Sequence, residues 1–78
     1  MLEVTMLTTG EVVFQGQAKR IIAPGEKGIF EICPFHKPIT SRLFPGAVFV
    51  DEKRFSILHG VVKVNLNTVK MIVELGKN

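Results

Sequence analysis

Apolar residues occupy every second position in several short stretches of this chain. The clearest stretches are Leu2, Val4 and Met6; Phe55 and Ile57; and Val69, Met71 and Val73. Ile72 interrupts the polar side of the last one. Alternation with a period of two predicts strands of antiparallel sheets with one buried face.

The segment from Val61 to Leu75 is the longest one without Gly or Pro. Seven of its fifteen residues are β-branched, which favours strands over a helix. Asn65 and Asn67 lie in its middle and supply a turn, so the segment divides into two short strands.

Turn residues punctuate the rest of the chain at short intervals. The predicted turns are Thr8–Gly10, Pro24-Gly25, Pro45-Gly46 and a polar hairpin tip at Asp51–Lys53. The predicted strands are 2–7, 11–15, 17–23, 29–33, 47–51, 54–58, 60–65 and 68–74. No amphipathic helix, repeat or linker interrupts them. The fold class is therefore all-β, a small antiparallel β-sandwich or barrel, with residues 1–78 as one domain.

Residues 34–46 do not fit the strand pattern. Pro34 and Pro38 bracket the first half, which cannot be a central strand. The segment nevertheless contains Phe35, Ile39, Leu43 and Phe44. An apolar loop ordered by prolines either folds onto the core or is presented to a partner, and the pattern leaves both readings open.

Composition favours an interaction protein. The chain has 78 residues, of which 46% are hydrophobic, and a mean hydropathy of +0.30. A domain this small has little interior, so some apolar surface must stay outside or be covered by a partner.

The charge is mildly basic, with a formal net charge of +3. The basic residues are dispersed, with Lys19-Arg20 and Lys53-Arg54 as the adjacent pairs, whereas nucleic-acid binders usually show a denser patch. A stand-alone oligonucleotide-binding barrel, using some of the six phenylalanines for stacking, is kept as the alternative function.

Candidate chemistry is sparse. Cys33 and His36 have C-x-x-H spacing and His59 is the other histidine, too few ligands for an ordinary zinc site. Cys33 ends an apolar run, where a buried, inert thiol is expected. Residues 24–28 lack the spacing of a phosphate-binding loop, so a turn is the better interpretation. We expect no catalytic residue, metal or cofactor.

The chain has no apolar run of membrane-spanning length and no secretory signal pattern. A single cysteine fits a reducing compartment. A cytosolic protein, associated with membranes only indirectly, is predicted.

Three stretches of the chain carry motifs that follow one another in a fixed order. Residues 8–16 read T-T-G-E-V-V-F-Q-G, residues 24–46 read P-G-E-K-G-I-F-E-I-C-P-F-H-K-P-I-T-S-R-L-F-P-G, and residues 57–74 form the third stretch. Over nearly the whole chain this order resembles the ε subunit of F-type ATP synthases. The family pattern for the second stretch is P-G-x-x-G-x-F-G-V-L-P-G-H-A-P-L-L-T-x-L-x-P-G, and the third stretch resembles the family's closing strands.

The resemblance implies a non-catalytic rotor subunit on the central stalk. It would dock on the γ subunit and on the ring of membrane-embedded c subunits, at the cytoplasmic or stromal face of an energy-transducing membrane, and couple ion translocation to ATP synthesis. The implied interface comprises Glu26, Lys27, Ile29, Glu31, Phe35, His36, Lys37 and Ile39. His36 alone can also be read as a surface or capping histidine.

Two further expectations come from departures from the family. The family's C-terminal helical hairpin is not found in these residues, so we expect neither self-inhibition nor a nucleotide site within them. Glu31 and Phe35 stand where the family usually has glycine, and Lys37 replaces alanine. The lost glycines predict a backbone that no longer adopts glycine-type conformations beside His36, and a bulkier, more charged surface there.

Overall fold

The computed structural model describes residues 1–76, which form eight strands and no helix. The strands are β1 (Leu2–Leu7), β2 (Val12–Ala18), β3 (Ile21–Gly25), β4 (Gly28–Ile32), β5 (Ile39–Leu43), β6 (Gly46–Val50), β7 (Lys53–Asn65) and β8 (Thr68–Leu75). None of the described residues belongs to a helix that could cross a membrane. The all-β prediction is confirmed.

β7 organises the sandwich because it belongs to both layers. Its first part, Lys53–Ile57, pairs with β6, and its second part, Gly60–Asn65, pairs with β5 and β8. One layer is therefore β2-β1-β8-β7-β5, and the other is β7-β6-β3-β4. A single pair, Gly25 with Leu43, also joins β3 to β5.

The strand changes layers at an irregularity between Ile57 and His59. Gly60 follows at once, and a Cβ on it would approach the Ile72 carbonyl oxygen to 2.6 Å. The absence of a side chain lets β7 and β8 come together where β7 bends.

The core lies between the layers and contains only apolar side chains among the described residues. Alternate positions supply it: Leu2, Val4 and Met6 from β1, and Val69, Met71 and Val73 from β8, are at most 4% exposed. Burying one such side chain stabilises the fold by about 1.5–3 kcal/mol. The alternation prediction is confirmed, and Ile72 does lie on the outer side, 58% exposed.

One strand pair departs from the predicted antiparallel arrangement. β1 and β8 are parallel, with Val4 opposite Val69 and Met6 opposite Met71. A short turn enforces antiparallel pairing, but these two strands come from opposite ends of the described chain, and no hairpin constrains their direction.

Several predicted strand boundaries were wrong. Residues 54–58 and 60–65 form one bent strand, and the predicted strand 17–23 is divided between the end of β2 and the start of β3. β5 was missed because the flanking prolines suggested a loop, although the prolines lie outside it.

The turn predicted at Pro24-Gly25 is displaced by two residues. Pro24 pairs with Ile29 and Gly25 with Gly28, so the connection is Glu26-Lys27. β3 tolerates Pro24 because its other two neighbours, β5 and β6, pair with it at Gly25 and at Ile21 and Ile22, respectively. Neither strand therefore needs a hydrogen bond from the N–H that Pro24 lacks. The turns at Asp51-Glu52 and Leu66-Asn67 are confirmed.

Candidate protein-docking surface

The structure separates the eight predicted interface residues into three places. Glu26 and Lys27 form the β3–β4 turn, Ile29 and Glu31 lie on the outer side of β4, and the rest belong to the loop 33–38 and the start of β5. All are exposed except His36 and Ile39, which are half-buried. Ile39 packs against the core, so its side chain is the least available for a partner.

An ion pair links the β3–β4 turn to β5. Nε and Nη2 of Arg42 in β5 donate to the same Glu26 carboxylate oxygen at 3.0 and 2.8 Å. Gly28, the residue that follows the turn, has φ +114° and relieves the backbone there. Lys27 remains exposed at the tip.

The outer side of β4 combines an exposed apolar side chain with a charged pair. Ile29 is 78% exposed. Glu31, two positions along the same side, lies 3.6 Å from Arg20. Among the described strands β4 pairs with β3 alone, so β4 is an edge strand, and its exposed outer side is open to a partner.

A tight turn at Pro34-Phe35 presents the most exposed large apolar side chain of the described residues. The His36 N–H donates to the Cys33 carbonyl oxygen at 3.1 Å, and Phe35 has φ +67°. A proline at the second position of the turn, a positive φ at the third and this hydrogen bond between the first and fourth residues are typical of a type II turn. The third position of such a turn normally requires glycine. Phe35 is 88% exposed.

The prediction that this backbone abandons glycine-type conformations was therefore wrong at Phe35. The phenylalanine keeps the left-handed conformation that glycine would adopt, at a cost of about 1–2 kcal/mol. The prediction is confirmed at Glu31, which has no positive φ. A costly conformation that holds an apolar ring in solvent suggests a role for that ring.

The β7–β8 turn braces this loop, which the sequence did not indicate. The Phe35 N–H donates to Oδ1 of Asn67 at 2.7 Å, and the Glu3 N–H donates to the Asn67 carbonyl oxygen at 2.7 Å. Leu66, beside Asn67, has φ +57° and is 75% exposed. A leucine between two asparagines at a turn was the available signal.

His36 is oriented by its own loop. Its Nδ1 lies 2.7 Å from the Lys37 carbonyl oxygen, so a ring protonated on Nδ1 donates to that carbonyl. This contact leaves Nε2 for another partner. It is compatible with both the interface and the surface interpretations of His36.

A second exposed apolar patch lies on the outer side of the larger layer. Leu7, Ile72 and Val61 stand side by side on three neighbouring strands, and Arg42 continues the row. Ile72 and Val61 are 58% and 44% exposed. The single irregularity at Ile72 was the sequence signal for this patch.

Cys33 is exposed, which corrects the expectation of a buried thiol. Ile32 points into the core, so its neighbour must point outward. Incomplete hydration and the Glu31 carboxylate raise the pKa of the Cys33 thiol, which disfavours the nucleophilic thiolate. Within residues 1–76 no three His, Cys, Asp or Glu side chains are grouped to hold a metal ion.

Three of the six phenylalanines pack against the core and so offer no exposed stacking surface. Phe14, Phe30 and Phe55 pack against the core, and Phe14 meets Phe55 edge to face with ring centroids 6.1 Å apart. Lys53 lies over the Phe14 ring at 5.4 Å. The oligonucleotide-binding alternative therefore gains no support from these rings.

Comparison with known families identifies this architecture. Residues 1–75 match the family described as "ATP synthase, Delta/Epsilon chain, beta-sandwich domain". The chain belongs to this family. The match covers every strand of the structure and confirms the resemblance carried by the motifs.

Relatives within the delta/epsilon family are of moderate similarity. The ATP synthase epsilon chain of Bordetella parapertussis is 31% identical over 78 residues, which cover 94% of this chain and 56% of the relative. That of Bordetella avium is 32% identical over 76 residues, covering 91% and 54%. The chain thus spans little more than half the length of these relatives.

Chains in solved ATP synthase structures have a similar fold. A chain of the Tetrahymena thermophila mitochondrial ATP synthase central stalk and c-ring superposes with a TM-score of 0.76 at 26% identity, covering 94% of this chain and 63% of the other. A chain of the Euglena gracilis mitochondrial ATP synthase gives 0.81 at 19% identity, covering 92% and 49%, and shows likeness of fold alone.

Proposed function

We propose that this delta/epsilon sandwich is a non-catalytic rotor subunit of an F-type ATP synthase. It docks on the γ subunit and the c-ring and so couples ion translocation to ATP synthesis. Membership of the family and the likeness to a chain of a central stalk and c-ring assembly support this assignment. The complex would lie on the cytoplasmic or stromal face of an energy-transducing membrane.

The observation that carries the proposal is the Phe35 turn. An apolar ring that is 88% exposed, on a residue with φ +67°, gains nothing for the isolated domain. Covering such a ring in a protein interface removes apolar surface from water, and aromatic residues are enriched at the centres of interfaces. A partner protein explains both its exposure and its conformation.

The interface comprises the residues that the resemblance indicated, distributed as the structure has them. Glu26, Lys27 and Ile29 form the part of the surface nearest the ring. Phe35, His36 and Lys37 form a part directed toward γ and the ring. A stiff sandwich braced by hydrogen bonds between loops suits a subunit that transmits torque.

The test is complex formation with γ and with a γ–c-ring assembly of the same ATP synthase, followed by size-exclusion chromatography. The wild-type chain should co-elute with the assembly, and Phe35→Ala and His36→Ala should weaken the complex. Val12→Ala is the matched control, because Val12 is also an exposed apolar residue but lies on β2.

Failure of the wild-type chain to bind either partner at micromolar concentrations would refute the rotor assignment. Binding that both variants retain would keep the assignment and move the contact surface elsewhere on the sandwich.

A further inference from the structure

β2 is an edge strand without the usual protection against pairing. Among the described strands it pairs with β1 alone, so its other edge presents free backbone N–H and C=O groups. Its seven residues, Val12–Ala18, include no charged residue and no proline. Natural edge strands are usually short, charged or interrupted by proline, because an open edge pairs readily with another strand.

The other edges of the described sheet are better protected. β4 has five residues and contains Glu31, which lies 3.6 Å from Arg20. β5 also has five residues, contains Arg42, and is joined to β3 through Leu43 and Gly25. β2 is therefore the edge that is most open to an added strand.

The regular part of β2 is symmetric about Gly16. Val12 pairs with Leu7 and Phe14 with Met6, so Val13 is a bulge and the regular stretch is Phe14–Ala18. Antiparallel pairing of two identical stretches about a twofold axis sets Gly16 opposite Gly16 of the second copy. The same axis sets Gln15 opposite Gln17 of the second copy, twice.

The side chains at these pairs are complementary. Gln15 and Gln17 are exposed, on the side of the layer opposite to the buried Val4 and Met6. Nε2 of Gln17 donates to Oε2 of Glu3 at 2.7 Å, which leaves the amide oxygen of Gln17 free to accept. In the pairing about Gly16, the amide of Gln15 in the second copy can donate to that oxygen.

The residues that flank β2 carry opposite charges. Glu11 precedes the strand, Lys19 and Arg20 follow it, and all three are exposed. Antiparallel pairing brings Glu11 of one copy toward Lys19 and Arg20 of the other, at both ends of the paired strands. Within residues 1–76 neither Glu11 nor Lys19 has an ion-pair partner in its own chain. The β2 edge is therefore complementary to a second copy of itself.

We propose that β2 is a self-association surface, through which two copies of this chain pair antiparallel about a twofold axis at Gly16. The larger layers of the two copies then form one continuous sheet, and the open edges cover each other. This inference does not rest on the proposed function and concerns the free chain. Pairing of five residues buries less area than a standard interface, so the dimer is weak and depends on concentration.

The experiment is sedimentation velocity of the whole chain from about 10 µM to about 1 mM, the range of a weak complex. A reducing agent is present, so that the exposed Cys33 forms no disulfide between copies. The wild type should shift from monomer to dimer across this range. In about 1 M NaCl the dimer should weaken, because the flanking charges are exposed.

Two double variants test the register. Gln15→Lys/Gln17→Lys sets like charges opposite each other in both symmetric pairs and should weaken the dimer at least about tenfold. Gln15→Glu/Gln17→Lys sets opposite charges there and should dimerise at least as well as the wild type. Both variants change only exposed side chains, and thermal unfolding should show that both are folded.

The remaining outcomes overturn the proposal. A wild type that stays monomeric to about 1 mM would show that β2 does not pair with itself. A dimer that Gln15→Lys/Gln17→Lys retains would lie elsewhere on the sandwich. A folded Gln15→Glu/Gln17→Lys that fails to dimerise would show that the pairing about Gly16 is wrong. None of these results changes the proposed function, which is tested by binding to γ and the c-ring.

Discussion

The two turns that flank β4 solve the same backbone problem in opposite ways. After the Glu26-Lys27 turn, the positive φ of +114° falls on Gly28, which has no side chain to clash. In the turn after β4, the positive φ falls on Phe35, and an asparagine from a distant turn accepts its N–H. The Glu26-Lys27 turn is the relaxed turn, because its backbone is unstrained, and the Arg42–Glu26 ion pair links it to β5. The Pro34-Phe35 turn is the braced turn, because its backbone conformation is costly and Asn67 accepts one of its N–H groups.

Under the proposed function, the difference separates a residue that serves the fold, Gly28, from one that would serve a partner, Phe35. Glycine at 28 gives the chain its shape with the least cost. Phenylalanine at 35 gives a similar change of direction at a higher cost, and contributes a ring that the isolated domain leaves in water. The following predictions test this comparison, beginning with the scaffold that carries both turns.

The largest effect is expected at the bend of β7, on which both layers depend. In Gly60→Ala the new Cβ would meet the Ile72 carbonyl oxygen at 2.6 Å and the Val73 Cγ1 at 2.8 Å. Because one of these is backbone, the strands must separate, and urea denaturation should show a loss of about 2–3 kcal/mol. Gly10→Ala is the control, since nothing lies within 4 Å of its Cβ. Equal losses would mean that the bend is not a constraint.

Any side chain at Gly28, in the relaxed turn, should lower the stability of the domain. Gly28→Ala places a Cβ on a residue with φ +114°, and the expected loss is roughly 1–2 kcal/mol. No atom lies within 4 Å of that Cβ, so the loss would come from backbone conformation alone. The free energy of unfolding, measured beside Lys27→Ala, tests this. If Gly28→Ala left the free energy of unfolding unchanged, the claim that this turn requires glycine would be wrong.

In the braced turn, substitution by glycine should raise the stability of the domain. Phe35→Gly relieves the left-handed conformation and should stabilise the isolated domain by roughly 0.5 kcal/mol, while abolishing the ring proposed for docking. Ile29→Gly removes another highly exposed side chain, this one from a strand, and should destabilise the domain by about 1 kcal/mol. Thermal unfolding of both variants compares them. Destabilisation by Phe35→Gly would show that the ring supports the fold.

The smallest effect is expected from the ion pair. Arg42 and Glu26 side chains are 72% and 44% exposed, so Arg42→Gln should cost at most about 0.5 kcal/mol at low salt and almost nothing in ~1 M NaCl. Lys63→Gln, an exposed residue of the neighbouring strand β7, is the control. A loss that persists at high salt would indicate that the Arg42 stem contributes by packing.

Sequence reasoning was most successful where a local pattern decides the structure. The alternation in β1 and β8 correctly separates buried from exposed positions, and the Asn65–Asn67 stretch correctly indicates a turn. It failed at β5 because flanking prolines, which lie outside the strand, suggested a loop. It failed at Pro24 because a proline is excluded from a strand only where a neighbour needs its N–H. Whether a neighbour does so depends on pairing that no local pattern contains. Cys33 was wrongly expected to be buried. Its side chain points outward because that of its neighbour Ile32 points into the core, and a continuous apolar run does not show which of its members point inward.

The candidate surface divides in the same way. Phe35 and His36 were identified from the sequence because the prolines and the family motif mark their loop. Leu66 and Asn67 were not, because their significance comes from a hydrogen bond to a residue 32 positions away. The patch at Leu7, Val61 and Ile72 likewise exists only because β1, β8 and β7 lie side by side.

The sequence by itself determined the fold class and the family of this protein, because periodic apolar residues and turn motifs are local properties of the chain. Only the tertiary structure decided that β7 spans both layers, that β1 and β8 run parallel, and that Phe35 keeps a glycine-like conformation. Each of these depends on hydrogen bonds or packing between segments far apart in sequence. Such contacts form when the whole sandwich closes, and no short stretch of residues specifies them alone.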